Sequence, residues 1–136
     1  MNTEPVHGTY SLEKQQDLII CRYSDGFNLA GVKALINDIL VLARDLDRWA
    51  LYQKPDNSAG VVHNAIDEMM NGYVQFQNAG CVAVAIQENS IFVRAGTPYR
   101  PISLHMPIRI EKSEVELVTW LEQSLVTTQP ASQVSA

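Results

Sequence analysis

The stretch WALYQKPDNSAGVVHNAIDEMMNGYVQFQNAG, residues 49–80, decides the predicted fold. Its first four residues are apolar or aromatic and predict a strand, and the polar residues 54–58 predict a turn. Residues 59–78 predict a helix because apolar side chains recur at steps of three and four, at Val62, Ile66, Met69, Tyr73 and Phe76. Gly80 suits the left-handed position that ends such a helix. The stretch therefore predicts a strand, a turn and a helix in succession.

Comparable patterns extend in both directions along the chain. Upstream, residues 10–14 and 18–23 predict an antiparallel hairpin, and Asn28 is placed to cap a helix over residues 29–46. Downstream, residues 81–86 form an uninterrupted apolar run, which is typical of a parallel strand buried on both faces. Residues 107–110 predict a short strand, and Ser113 with Glu116 forms a capping box before the last helix. The predicted fold class is α/β, a single mixed β-sheet of about five strands with helices packed against it.

Residues 87–107 leave two alternatives open. Asn89 and its neighbour could cap a short helix over residues 91–94, or residues 90–94 could form a strand. Three prolines, Pro98, Pro101 and Pro107, exclude long regular structure in this segment. Residues 90–112 carry four basic side chains and one acidic side chain. This charge could serve a partner protein or an acidic ligand, or it could be ordinary surface charge.

Length and composition bound the functions that the chain can have. The 136 residues fit one domain, and the net charge of −5 argues against nucleic-acid binding. We expect a flexible lead-in over residues 1–7, a domain over residues 8–126 and a flexible tail over residues 127–136. The sequence shows no signal peptide and no membrane-spanning run, so we expect a cytoplasmic protein. Cys21 and Cys81 are interpreted as buried, reduced side chains.

Three predicted loops follow consecutive strands and should meet at one edge of the sheet. Their short polar side chains either cap the following helices or form a binding edge built from helix N-termini. The candidate residues of this binding edge are Asp25, Asn28, Asp56, Asn57, Ser58 and Asn89. Their spacing is not that of a metal site, so we predict no metal and no cofactor.

A second candidate site lies beside the predicted second helix. Methionines fill irregular gaps in a core, and they also line adaptable binding grooves. The candidate pocket residues are Met69, Met70, Tyr73, Phe92 and Tyr99. No catalytic residue is predicted, because a pairing of Ser58 with His63 would still lack a third group to orient the histidine.

Two segments carry a resemblance to a known family. Residues 107–113 and 115–122 are similar to a closing strand and an acid-capped helix, which here contains Trp120 and Leu121. Residues 56–61, DNSAGV, look like a loosened form of an Asp-Ser-Ser-Gly-Leu turn. On these residues the chain resembles the SpoIIAA-like branch of the STAS superfamily, the sulfate transporter and anti-sigma factor antagonist domain. The resemblance covers about residues 10–125.

The resemblance implies a SpoIIAA/STAS-like fold and a non-enzymatic regulatory or protein-interaction role. In anti-sigma factor antagonists the serine directly before the glycine is phosphorylated by a partner kinase, and Ala59 occupies that place here. Ser58, one residue earlier, is a candidate phosphorylation site, although the expected function lacks the switch. Some SpoIIAA-like proteins share the layout of CRAL-TRIO lipid-binding domains. A protein partner is therefore expected, with a small-molecule or lipid-binding pocket beside the second helix as the alternative and a homodimer left open.

Overall fold

The computed structural model describes residues 5–89, 91–94 and 97–127, apart from the side chains of Ile91, Phe92 and Thr127. The strands are β1 (Thr9–Gln15), β2 (Leu18–Ser24), β3 (Gly26–Phe27), β4 (Trp49–Pro55), β5 (Gly60–Val61), β6 (Cys81–Gln87) and β7 (Ile108–Glu111). The helices are α1 (Leu29–Leu42), α2 (Ile66–Asn78) and α3 (Glu114–Thr127). The main sheet has five strands in the order β1-β2-β4-β6-β7, and this confirms the predicted α/β class.

The sheet is mixed, with one antiparallel pair at its edge. β1 and β2 form the predicted hairpin, whereas β2, β4, β6 and β7 are parallel to one another. The crossovers from β2 to β4 and from β4 to β6 contain α1 and α2, which is how parallel strands are normally joined, whereas the described part of the crossover from β6 to β7 contains short 3₁₀ turns. As a result, the carboxyl ends of four strands lie along one edge of the sheet.

Helices cover both faces of the sheet. One face packs on α1 and α2 through large side chains that include Trp49, Leu51 and Val84. The other face packs on α3, where Leu117 and Leu121 lie on small or flat residues such as Ala83. Burial on both faces explains why β4 and β6 are almost uniformly apolar.

The ends of the predicted strand–turn–helix unit are tied together. The Trp49 indole nitrogen donates to the Ala79 carbonyl at 3.0 Å, and the Trp49 amide donates to the Gly80 carbonyl at 3.1 Å. Gly80 has φ +106°, and a Cβ there would collide with the Asp47 carbonyl. The predicted left-handed glycine is therefore required by both backbone conformation and space.

Two helix caps follow the sequence prediction. The Asn28 side chain accepts from the Gly31 amide at 2.8 Å and begins α1. The Ser113 hydroxyl accepts from the Glu116 amide at 3.2 Å at the start of α3. The reciprocal half of the capping box, from the Glu116 side chain back to Ser113, does not occur among the hydrogen bonds of the described residues. One half of the motif is enough to satisfy one free amide of the first turn.

The predicted start of the second helix was wrong. The prediction placed it at residue 59, but α2 begins at Ile66 after a single 3₁₀ turn, His63–Ala65. Residues Gly60–Val61 instead form β5, which pairs in parallel with β3. This pairing joins segments more than thirty residues apart, so it leaves no periodic signal in the sequence. The turn after β4 therefore leads into a second small sheet and not into a helix.

The segment after β6 contains two short 3₁₀ turns, Ile91–Arg94 and Thr97–Tyr99. Of the two alternatives that the sequence left open, the helical one is therefore correct. At the carboxyl end, α3 runs through Thr127, and the rest of the predicted tail lies outside the described residues, as does most of the predicted lead-in. Within the described ranges, no helix combines the length and apolar character needed to cross a membrane.

Candidate functional site

A cavity of about 540 Å³ lies between the sheet and the helices α1 and α2. Tyr23, Pro55, Ile86 and Ile110 place it at the carboxyl ends of the four parallel strands. Ligands of α/β proteins bind at this edge of the sheet. The volume falls within the range of about 300–1,000 Å³ that is usual for small-molecule pockets.

Apolar side chains from every side form most of the lining. α1 contributes one wall, with Val32 and Ile36 among its lining residues. α2, which packs beside α1, contributes a second wall through Ile66, Met69, Met70, Tyr73 and Phe76. Ile108 and Val93 close the far side, next to β7 and the first 3₁₀ turn. The surface offered to a ligand is therefore mainly hydrocarbon, which favours an apolar molecule.

Three of the five predicted pocket residues meet in this cavity. Met69, Met70 and Tyr73 all line it from α2. Tyr99 is not among the lining residues; its ring stands 6.1 Å from that of His63. The Phe92 side chain lies outside the described part of the structure. That these residues bind a ligand remains a prediction.

The cavity also has a small polar region on the face of the sheet. Gln53, only 6% exposed, accepts a hydrogen bond from the Tyr73 hydroxyl at 2.5 Å. Tyr23 lies on the neighbouring strand, two residues beyond the register partner of Gln53. Burial raises the pKa of both tyrosines well above the ordinary value, so both hydroxyls stay protonated.

Two arginines line the cavity, and both are exposed to solvent. Arg94 forms a two-bonded ion pair with Glu88, at 2.8 and 3.1 Å, and also donates to the Ile110 carbonyl. The Arg94 guanidinium lowers the pKa of Glu88. Arg100 donates to the carbonyls of Leu104 and Met106 at 3.0 and 2.7 Å. The described lining contains no carboxylate, so the cavity disfavours a cationic ligand.

The exposed lining residues indicate where the cavity opens. Asn57, Ser58 and Val62 lie on one side of this opening, and Thr97 and Arg100 lie on the other. The small sheet of β3 and β5 holds the first side in place. The mouth is therefore bordered by the turn that the sequence singled out.

The predicted binding edge is a hydrogen-bonded cluster at this mouth. The Asp56 carboxylate accepts from the Ser58 amide at 2.8 Å and from the Ser58 hydroxyl at 2.6 Å. The Asp25 amide in turn donates to the Ser58 hydroxyl oxygen at 3.0 Å, and Asp25 has φ +69°. The bonds from Ser58 lower the pKa of Asp56. Asp25, Asp56 and Ser58 are thus brought together, and they bond to one another across the two loops.

The three asparagines of the predicted edge have different environments. Asn28 is buried, and its amide binds Gly31, His7 and the Pro5 carbonyl, which leaves it a structural role. Asn57 is exposed and lines the cavity mouth. The side-chain amide of Asn89 donates to the Pro55 carbonyl and so links the loop after β6 to the end of β4.

The reason for expecting an anion at Ser58 is removed by the position of α2. Ser58 precedes β5 and lies eight residues before Ile66, so it is not at a helix N-terminus. A phosphate on its hydroxyl would break the hydrogen bond to Asp56 and stand beside the Asp56 carboxylate, which opposes modification. Phosphorylation of Ser58 stays an untested prediction, now without its electrostatic support.

Among the described residues at this edge, no nucleophile, base and orienting group are placed together for catalysis. The Ser58 hydroxyl is engaged by Asp56 and Asp25, and His63 contacts the ring of Tyr99. Burial raises the pKa of the Cys21 and Cys81 thiols to about 12, which makes both poor nucleophiles. The described residues include no group of three metal-ligating side chains.

Two solved structures have the same fold. An uncharacterised protein of the DUF3478 family with a SpoIIAA-like fold, from Shewanella loihica PV-4, has a TM-score of 0.59 at 10% identity, over 89% of this chain and 98% of its own. An anti-sigma factor antagonist from Mycobacterium paratuberculosis has a TM-score of 0.58 at 13% identity, over 89% of this chain and 99% of its own. Neither a protein-family model nor a curated protein matches the sequence. The chain therefore has the SpoIIAA/STAS-like fold that the resemblance implied.

Sequence reasoning missed the polar region of the cavity. Gln53 follows Trp49 and Leu51 at alternate positions of β4, so it lies on the same buried face as two large apolar residues. A glutamine in that alternation is an uncommon choice, because an amide in a core needs hydrogen-bond partners. The break in the apolar pattern was the available signal.

Proposed function

We propose that this chain is a non-enzymatic binding module that holds a small, mainly apolar ligand in the 540 Å³ cavity. The observation that supports it is the cavity itself, whose volume is within the usual range of small-molecule pockets and which lies at the edge of the sheet where α/β proteins bind ligands. An apolar ligand would make dispersion contacts with the lining side chains and would remove their hydrocarbon surface from water.

The test is saturable binding of a neutral, apolar fluorescent probe, N-phenyl-naphthylamine, together with native mass spectrometry of the purified protein. We expect enhanced probe fluorescence with one-to-one stoichiometry. The double variant Ile86→Phe with Met69→Phe adds bulk to two lining positions and should abolish binding. Val115→Phe is the matched control, because Val115 is 76% exposed on α3, on the other face of the sheet.

Two results would count against a ligand cavity. One is the lack of saturable probe binding together with a native mass that shows no bound molecule. The other is equal binding by the wild type and the filled variant, provided that circular dichroism shows both to be folded.

A second candidate function is protein interaction through the cluster at the cavity mouth. It is supported by the shared fold with an anti-sigma factor antagonist, whose name assigns it a protein target. It is also supported by the exposure of Asp56, Asn57 and Ser58, in a turn where Ser58 bonds to Asp56 and accepts from the Asp25 amide. Rigid, exposed polar loops are effective recognition surfaces because little entropy is lost on binding.

Affinity capture from the source-cell lysate tests this second candidate. Wild-type protein should retain a specific partner that Asn57→Arg loses, because the substitution places a bulky cation on the exposed turn. Asn71→Arg is the control, since Asn71 is an exposed residue of α2. Identical sets of captured proteins for all three baits would argue against recognition at this cluster.

A further inference from the structure

The buried end of the cavity contains an amide group with unused hydrogen-bonding capacity. Gln53 accepts from Tyr73 through one atom of its amide, and its Nε2 makes no hydrogen bond among the described residues. In the described part of the chain, no fully enclosed side-chain nitrogen or oxygen lacks a partner. The Gln53 nitrogen must therefore have surface open to the cavity that the residue lines.

The Tyr23 hydroxyl is a second such group. It also lines the cavity and makes no hydrogen bond within the described residues; its ring packs edge-on against Phe27 at 5.8 Å. Tyr23 is on β2, which is hydrogen-bonded to β4, and it faces the same side of the sheet as Gln53. The two groups thus belong to one polar region surrounded by apolar side chains.

Both groups can donate a hydrogen bond, and this restricts the chemical groups of a ligand that they can bind. The amide nitrogen of Gln53 is a donor only, and a tyrosine that stays protonated donates through its hydroxyl. A carbonyl oxygen has two lone pairs and no proton of its own, so it can accept from both donors at once. An ionised carboxylate is less suitable there, because the cationic groups of the lining, Arg94 and Arg100, are anchored on other partners.

We propose that Gln53 and Tyr23 recognise a carbonyl oxygen of the ligand. The ligand class is then a small, neutral, mainly apolar ketone, aldehyde, ester or amide, oriented with its oxygen toward β4. This inference rests on the proposed ligand-binding function. It adds a specificity that a purely apolar cavity would not have, because a ligand without the oxygen leaves buried donors unpaired.

The experiment compares acetylnaphthalene with ethylnaphthalene, substituted at the same ring position, by isothermal titration calorimetry. The two molecules have nearly the same shape and differ in one oxygen. We expect the ketone to bind about tenfold more tightly to the wild type, as one to two satisfied buried donors require. Gln53→Leu and Tyr23→Phe should each reduce that ratio toward one, whereas Met69→Leu, an apolar exchange in the same lining, should retain it.

The outcomes separate this inference from the function on which it rests. Equal affinity of the wild type for the two molecules overturns the carbonyl site and leaves the apolar cavity standing; water at the polar region would give this result. An unchanged ratio in both polar variants overturns it as well. Binding of neither molecule overturns the proposed function and the carbonyl site together. Tyr23→Phe removes a single hydroxyl, so the affinity ratio of this variant can be compared with that of the wild type even if Gln53→Leu fails to fold.

Discussion

The two faces of the sheet are built from the same strands and yet are packed differently. On the α3 face, the alanines Ala50, Ala83 and Ala85 lie directly under Leu117 and Leu121, all with at most a trace of exposure. On the opposite face, large side chains such as Trp49 pack on two helices, and a cavity of about 540 Å³ remains. Small residues allow one helix to approach closely, whereas large residues and two helices leave a space that Val93, Arg94, Thr97 and Arg100 border. Hydrophobic content alone therefore does not determine where a cavity forms.

The largest expected difference between the faces is in the cost of shortening a side chain. Leu121→Ala should lower the free energy of unfolding by about 3 kcal/mol, because a fully buried side chain is removed from a close-packed site. Met69→Ala should cost only about 1 kcal/mol, since Met69 is half-buried and borders the cavity. Urea denaturation monitored by circular dichroism measures both. Equal costs would mean that the two faces are packed to the same density.

Adding volume at neighbouring positions of β6 should have opposite consequences. Ala85→Leu inserts bulk under α3 and should cost about 2 kcal/mol through overpacking. Ile86→Phe directs its extra volume toward the cavity and should change stability by less than about 1 kcal/mol. Urea denaturation midpoints of the two variants measure both changes in stability, and the two substituted residues are adjacent on one strand. If Ile86→Phe lowered the free energy of unfolding more than Ala85→Leu does, the cavity could not lie beside Ile86.

Two buried tyrosines allow a comparison of polar contacts on the two faces. Tyr73→Phe leaves the buried Gln53 carbonyl oxygen without its donor and should cost about 1–2 kcal/mol. Tyr52→Phe removes a bond to Glu114, which keeps Lys54 and is partly exposed, so the cost should stay below about 1 kcal/mol. Thermal and urea unfolding of both variants would show which substitution costs more stability. The reverse order would indicate that the Gln53 amide is already well hydrated.

The smallest effect is a pH dependence on the α3 face. Hydrogen bonds from Lys54, and then from Tyr52, lower the pKa of Glu114. The folded state therefore binds fewer protons than the unfolded state, so this contribution is present above the ordinary glutamate pKa of about 4.3 and is lost as the pH falls through the lower folded value. Lys54→Met should consequently be less stable than the wild type near neutrality, with a gap that narrows in acid.

Urea titrations at a series of pH values measure that gap. Lys33→Met is the control, because Lys33 is exposed on α1 and the described residues offer it no ion pair. A gap for Lys54→Met that stays constant down to acid pH would show that packing of the lysine stem, and not its charge, accounts for the difference.

Local and periodic features could be predicted because they depend on neighbouring residues. The cap at Asn28, the left-handed Gly80 and the buried run of β6 all occur in the structure as the pattern indicated. The start of α2 could not be predicted, since the pairing of Gly60 with Gly26 depends on two loops brought together by the main sheet. The candidate site divides in the same way. Met69 and Tyr73 were found from helical spacing and Met70 from the methionine pair, but Gln53, the hydrogen-bond partner of Tyr73, comes from strand β4.

The sequence by itself determined the order of the five main-sheet strands and the three helices and the α/β class, because spacing and residue type carry that information along the chain. Only the tertiary structure decided that the turn at Ser58 leads into a strand and that a cavity lies behind it. It also decided that Tyr23, Gln53 and Tyr73, from three separate elements, share that cavity. The physical reason is that cavities and unpaired hydrogen-bond donors arise between secondary-structure elements. The distance between a helix and a sheet depends on all the side chains packed between them, and these come from distant parts of the chain.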